Sequence, residues 1–182
     1  MPLSLLEIID KAVATEGGYT NNAADLGGPT IWGITERVAR KNGFTANMET
    51  MGREIAKTIY LRQYIQAPGF DRVHALNPAI AAELIDTGIN CGPPTAATML
   101  QRALNALNGQ GKLYADIPVD GDCGPATVTA LKAYLSKRGA IGELVMLRTL
   151  NGLQLERYIE ISEKRSANEE FTFGWIANRV AI

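Results

Sequence analysis

"ATEGGYTNNAADLGGPTIWGIT", residues 14–35, decides how this chain is read. It starts in the last turn of an amphipathic helix and runs into a lobe of glycine and small polar residues. Upstream, Ser4 and Glu7 form an S-x-x-E capping box before an apolar run, and Gly17-Gly18 stop the helix. At about 100° per residue, Leu5, Ile9, Ala12 and Glu16 fall within one narrow arc. Glu16 is therefore expected on the apolar stripe, in the helix's last turn. A carboxylate there is desolvated and faces the negative end of the helix dipole. Both effects keep it protonated near neutral pH, as a general acid requires. Asp25 has the opposite surroundings, because Asn21, Asn22 and loop amides can hydrogen-bond it and hold it ionised. Two carboxyl groups pushed toward different pKa values make an acid/base pair. On spacing alone a plainer reading competes, with Glu16 facing water and Asp25 building a turn.

Downstream, Thr20 to Ile34 reads as a tight lobe with a short hairpin, and Thr35 caps a helix ending at Gly43. A helix is expected over 51–66, with Ile55, Ile59 and Tyr60 inward. Asn77-Pro78 is an N-cap followed by an N1 proline, opening a helix through about Ile89. Pro93-Pro94 opens the next, and residues 108–124 form a loop rich in Gly and Asp. Gly124-Pro125 starts a helix that ends at Gly139. A long one follows over 140–166, with Gly152 a kink or close contact, and a last short helix is expected near Phe173–Val180. The fold class is mainly α, with one small Gly-rich lobe. The seam near residues 92–94 separates an expected catalytic region, 1–92, from a helical C-terminal region, 93–182, packed with it into one globular unit.

The chain has 182 residues, 46% of them apolar, enough for a sizeable core and too many for disorder. Eighteen basic and 19 acidic side chains leave a net charge of −1, which argues against a broad grip on nucleic acid. Cys91 and Cys123 are no disulfide framework. Two free buried thiols are expected, with a single bridge left open. No stretch reaches the roughly 18 apolar residues that a membrane span needs. The opening "MPLSLLEIIDKAVATEGG" lacks a basic n-region and a small-residue cleavage site, so it does not read as a signal peptide. His74 has no second His or nearby Cys, and Asp116, Asp120 and Asp122 miss the calcium-loop spacing. No metal or cofactor is expected.

"EGGYTNNAADLGGPTIWGIT" closely resembles the opening motif of the glycoside hydrolase family 108 muramidases, E-G-G-Y, an Asp, G-G-x-T and G-I-T. "EIAKTIYLRQYI" resembles that family's central helix, and "IAAELIDTGINCGPPTAATMLQRALN" its FD-x-x-V-N-x-G … LQ-x-A segment. "VDGDCGPATVTAL" resembles the D-G-x-x-G-P-x-T motif of the associated peptidoglycan-binding-type region, and "LERYIEI … FTFGWIANRV" its E-R … G-W-x-x-R ending. Nearly the whole chain is covered. The resemblance implies a lysozyme-like helical fold that cleaves the β-1,4 bond between N-acetylmuramic acid and N-acetylglucosamine in peptidoglycan. It makes Glu16 the acid. The Glu-x8-Asp spacing with Thr30 also resembles the Glu/Asp/Thr triad of phage-type lysozymes, where the threonine lies one residue farther from the aspartate. Asp25, helped by Thr30, is then the water-activating base or a stabiliser.

Tyr19 and Trp32 are candidates to stack on sugar rings, with core packing the alternative for each. Asp86 and Asn90, one helical turn apart, match the family segment and are candidates to bind N-acetyl or hydroxyl groups, against helix capping by Asn90. Tyr64, with Tyr60, is a further candidate against simple packing. "DGDCGPAT" is expected to fix a turn and cap a helix. The expected partner is the glycan strand of peptidoglycan. A monomer is expected, without stable membrane insertion. Synthesis in a host cytoplasm is expected, with release through a holin if the protein is phage-encoded, and action at the wall in the periplasm. Two other functions stay open: a lytic transglycosylase forming 1,6-anhydro products, and a non-catalytic wall-binding protein.

Overall fold

The structure, a computed structural model, describes residues 4–15, 18–20 and 28–180. It is mainly helical, with one two-stranded antiparallel sheet among the described residues. The chain divides into two compact units, residues 1–67 and 68–182.

In the first unit, α1 (Leu5–Thr15) begins at the expected capping box. The Ser4 amide donates to Glu7 Oε2 at 2.7 Å, and the Glu7 amide returns to Ser4 Oγ at 3.3 Å. The buried face is made by Ile8, Ile9 and Val13. It packs against α3 (Arg53–Tyr60), where Lys57 Nζ lies 2.6 Å from Asp10 Oδ1. That hydrogen bond holds the Asp10 carboxyl below its ordinary range. Strands β1 (Thr30–Ile31) and β2 (Ile34–Thr35) form the expected hairpin, pairing Thr30 with Thr35 and Ile31 with Ile34. Thr35 then caps α2 (Glu36–Lys41), and the chain leaves that helix through Gly43 at φ 86°.

The helix expected over 51–66 is two kinds of helix. Leu61–Gln66 continues α3 with π-helical geometry. Ile55, expected inward, is 42% exposed, and the buried positions are Ala56, Ile59 and Tyr60. The apolar stripe runs through the i, i+3, i+4 set starting at Ala56, and Ile55 lies off it by one residue.

The second unit holds α4 (Phe70–Leu76), α5 (Pro78–Cys91), α6 (Pro93–Leu107), α7 (Pro125–Lys164) and α8 (Glu169–Arg179). Asn77 caps α5 as expected, its Oδ1 accepting from the Ile80 amide at 2.9 Å. Gly88 lets α4, α5 and α6 meet closely: a Cβ there would lie 3.2 Å from Phe70 Cε2 and 3.5 Å from Pro93 Cα. The α7 segment breaks at Gly139, as expected, with φ 57° and ψ −147°, a conformation reserved for glycine. Tyr134 closes the corner by donating to the Gly142 carbonyl at 2.9 Å. Gly152 is an ordinary helical residue with open space around it, neither kink nor close contact. The last helix begins at Glu169, earlier than expected, after a single 3-10 turn over Ser166–Asn168.

Loop 108–124 is ordered by polar side chains of α6. Gln101, 1% exposed, donates to Asp120 Oδ1 at 2.7 Å, the Asp122 carbonyl at 2.9 Å and Thr127 Oγ1 at 3.1 Å. Its Oε1 accepts from the Gly121 amide at 2.9 Å. One buried amide therefore fixes the "DGDCGPAT" turn to the start of α7.

Candidate functional site

Glu16 and Asp25 lie outside the described residues, so the structure gives the frame on either side of them. Thr20, just after the E-G-G-Y residues, pairs with Thr30 through two backbone hydrogen bonds of 2.8 Å. That bridge ties together the two ends of residues 21–29, the segment that carries Asp25. Thr30 is half-buried in β1, and its hydroxyl makes a long contact of 3.5 Å with the Gly28 carbonyl. Tyr19, beside the bridge, is 38% exposed.

The hairpin turn is Trp32-Gly33, with φ of 54° and 72°. Two positive φ values are what a type I′ turn demands, and they match the twist of the flanking strands. A tryptophan in this region is strained by about 1–2 kcal/mol. It persists because its neighbours hold it on both sides. Trp32 Nε1 donates to the Met51 carbonyl at 2.8 Å, and the Tyr60 hydroxyl donates to the Trp32 carbonyl at 3.2 Å. Tyr60 is 2% exposed and stacks on Tyr64 at 5.1 Å between ring centres. The π-helical turn that carries Tyr64 is thus joined to the hairpin through Tyr60. Such turns are frequent at functional sites.

Asp86 and Asn90 sit on α5 in the second unit. Asp86 accepts from Arg179 at 2.8 Å and from Gln154 Nε2 at 3.3 Å. Asn90 Nδ2 donates to the Tyr158 hydroxyl at 2.7 Å. The two side chains therefore join α5 to α7 and α8, and the turn after α5 is made by Gly92 at φ 91°. One α5 residue carries a signal the sequence reading passed over. Glu83 has a buried Oε1 with no hydrogen-bond partner among the described residues. Burial, with Asp86 nearby, pushes its carboxyl up to about 7. It lines an open groove of about 550 Å³ with Ala79, Ala82, Leu144, Leu147 and Asn151. Its place three residues before Asp86 on an apolar face was the available clue.

Cys91 and Cys123 are both free, and burial pushes the Cys123 thiol up to about 12. Among the described residues no group of three His, Cys, Asp or Glu side chains is placed to hold a metal ion. No helix among them is long and apolar enough to cross a membrane.

Residues 9–92 match the family model described as Glycosyl hydrolase 108, and residues 95–180 match the one described as Predicted Peptidoglycan domain. The two matches lie in tandem, each over a little less than half of the chain. The order is the one expected from the motifs, and the pair of matches supports a glycoside hydrolase acting on peptidoglycan. Among solved structures, SagA of Brucella abortus is similar in fold. It is 19% identical, with 95% of each chain covered and a TM-score of 0.59. No curated protein matches the chain.

Proposed function

We propose that this chain is an N-acetylmuramidase that hydrolyses the β-1,4 bond between N-acetylmuramic acid and N-acetylglucosamine. The observation that carries the reading is the family match over residues 9–92, which contains the E-G-G-Y glutamate and the Asp25 segment tied off by the Thr20–Thr30 bridge. Glu16 protonates the leaving glycosidic oxygen. Asp25, with Thr30 beside its segment, activates or orients water on the far face of the ring. That is the inverting arrangement, which needs carboxyl groups roughly 6.5–9.5 Å apart. In the first unit the exposed Tyr19 ring and the Trp32 and Tyr64 rings supply stacking surface; in the second, Asp86 and Asn90 offer polar contacts of their own to the strand when their internal partners yield. Residues 1–92 form the catalytic region and 93–182 the part that keeps the monomeric enzyme on the wall. Release across the membrane through a holin, for host lysis, fits a phage-encoded enzyme of this kind.

The test is mass spectrometry of purified peptidoglycan digested by the wild type and by Glu16→Gln. The expected result is reducing muramic acid ends, formed roughly 10²–10⁴-fold more slowly by the variant, the range general acid catalysis supplies. 1,6-Anhydro ends would instead identify a lytic transglycosylase. Equal rates from both proteins would remove Glu16 from the chemistry, and no cleavage by either would identify a wall binder.

A further inference from the structure

A second groove, of about 450 Å³, lies between α6 and the later arm of α7, wholly inside the second unit. Its volume is in the range of small-ligand sites, roughly 300–1,000 Å³. Four charged side chains line it: Arg102 from α6, and Glu156, Arg157 and Glu160 from α7, with Thr95 and Thr98 beside them. Arg102 approaches Glu156 only to 3.9 Å, beyond hydrogen-bond reach, and its side chain is 53% exposed. Arg157 gives one terminal nitrogen to Glu160 at 2.8 Å, while its Nε has no partner among the described residues. The Glu160 carboxyl is held down at about 2 by its hydrogen bonds to Lys164 and Arg157, so it stays charged. Exposed ion pairs of this kind hold weakly and exchange for a better partner at little cost.

The charges say which part of a peptidoglycan strand would fit. The sugar chain offers hydroxyl and acetamido groups and favours aromatic faces, and no aromatic residue lines this groove. The peptide stems offer free carboxylates and, at a diamino acid, an ammonium group. A guanidinium fork matches a carboxylate in shape and charge, and a pair of carboxylates matches the ammonium. We propose that this groove is a peptide-stem site, in which Arg102 and Arg157 take a stem carboxylate, Glu156 and Glu160 the ammonium, and Thr95 and Thr98 the peptide backbone. The proposal rests on the second half being directed at peptidoglycan, and it gives that half a ligand distinct from the cleaved sugar linkage.

Isothermal titration of the full chain with a synthetic stem tripeptide, L-Ala–γ-D-Glu–diaminopimelate, tests it. The tripeptide is expected to bind, its carboxyl-amidated analogue at least tenfold more weakly, and chitotetraose not to displace it. Arg102→Gln, at an exposed position that leaves the helix intact, is expected to weaken the tripeptide at least tenfold with an unchanged circular dichroism spectrum. No heat of binding, or equal affinity for both peptides and for the variant, would overturn the assignment. Stem binding by a wild type that cleaves no peptidoglycan would support this site and sink the muramidase reading. Cleavage without stem binding would do the reverse.

Discussion

Glu83→Gln is the most informative single change in the second unit. The wild-type carboxyl is pushed from its ordinary 4.5 to about 7, mainly by burial and then by the Asp86 charge. In the unfolded chain the same group ionises near 4.5. A neutral Glu83 therefore favours the folded state fully below pH 4.5, and that advantage is lost as the pH climbs to about 7. At about 1.4 kcal/mol per pH unit, the gap between the two values amounts to about 3 kcal/mol. The figure is a ceiling, because the carboxyl keeps some contact with solvent. Glutamine has nearly the same shape and never ionises. The variant is expected to match the wild type at about pH 4 and to exceed it progressively, by up to 3 kcal/mol above about pH 7. Urea denaturation at a series of pH values, followed by circular dichroism, measures the difference. A difference that does not change with pH would refute the reasoning, because the ionisation of Glu83 would then be uncoupled from folding.

Two glycines of α5 and α7 should respond in opposite directions. Gly88→Ala forces a methyl against Phe70 and the Pro93 backbone and is expected to cost about 1–3 kcal/mol. Gly152→Ala meets no atom within 4 Å and is expected to stabilise by about 0.5–1 kcal/mol, both read as thermal unfolding midpoints. Gln101→Ala strips the anchor from loop 108–124 and is expected to cost roughly 2–4 kcal/mol. Amide exchange at Gly121 and Asp122 should accelerate before that of the helices.

Local signals in the sequence marked most element boundaries. The Ser4–Glu7 box, the Thr35 and Asn77 caps, Gly43 and the Gly139 break are all written within a few residues of where they act. What escaped was set by distant partners. The Trp32 turn lacks the Asn-Gly signature of its type, because its strain is offset by Met51 and Tyr60, which lie 19 and 28 residues away. Asp86 and Asn90 meet partners 68 and 93 residues along the chain, which no periodicity reports. Ile55 faces outward because one residue of phase exchanges a buried position for an exposed one on so short a helix. The seam read at residues 92–94 coincides with the break between the two family matches, at 92 and 95, and lies within the second compact unit. Of the candidate site, helix phase and the motif named Glu16 and Asp25, while the Tyr60 buttress rests on its bond to the Trp32 carbonyl and Glu83 on the burial of its Oε1, neither of which residue spacing reports.

The Thr20–Thr30 pairing has a consequence for how this lobe can vary. A loop whose two posts are fixed pays only logarithmically for extra length, about 0.6 kcal/mol for each doubling. Residues can be inserted or deleted between the posts while the hairpin and its tryptophan corner stay where they are. The number of residues between the two posts is therefore a parameter that drift or an engineer can adjust at low risk to the hairpin.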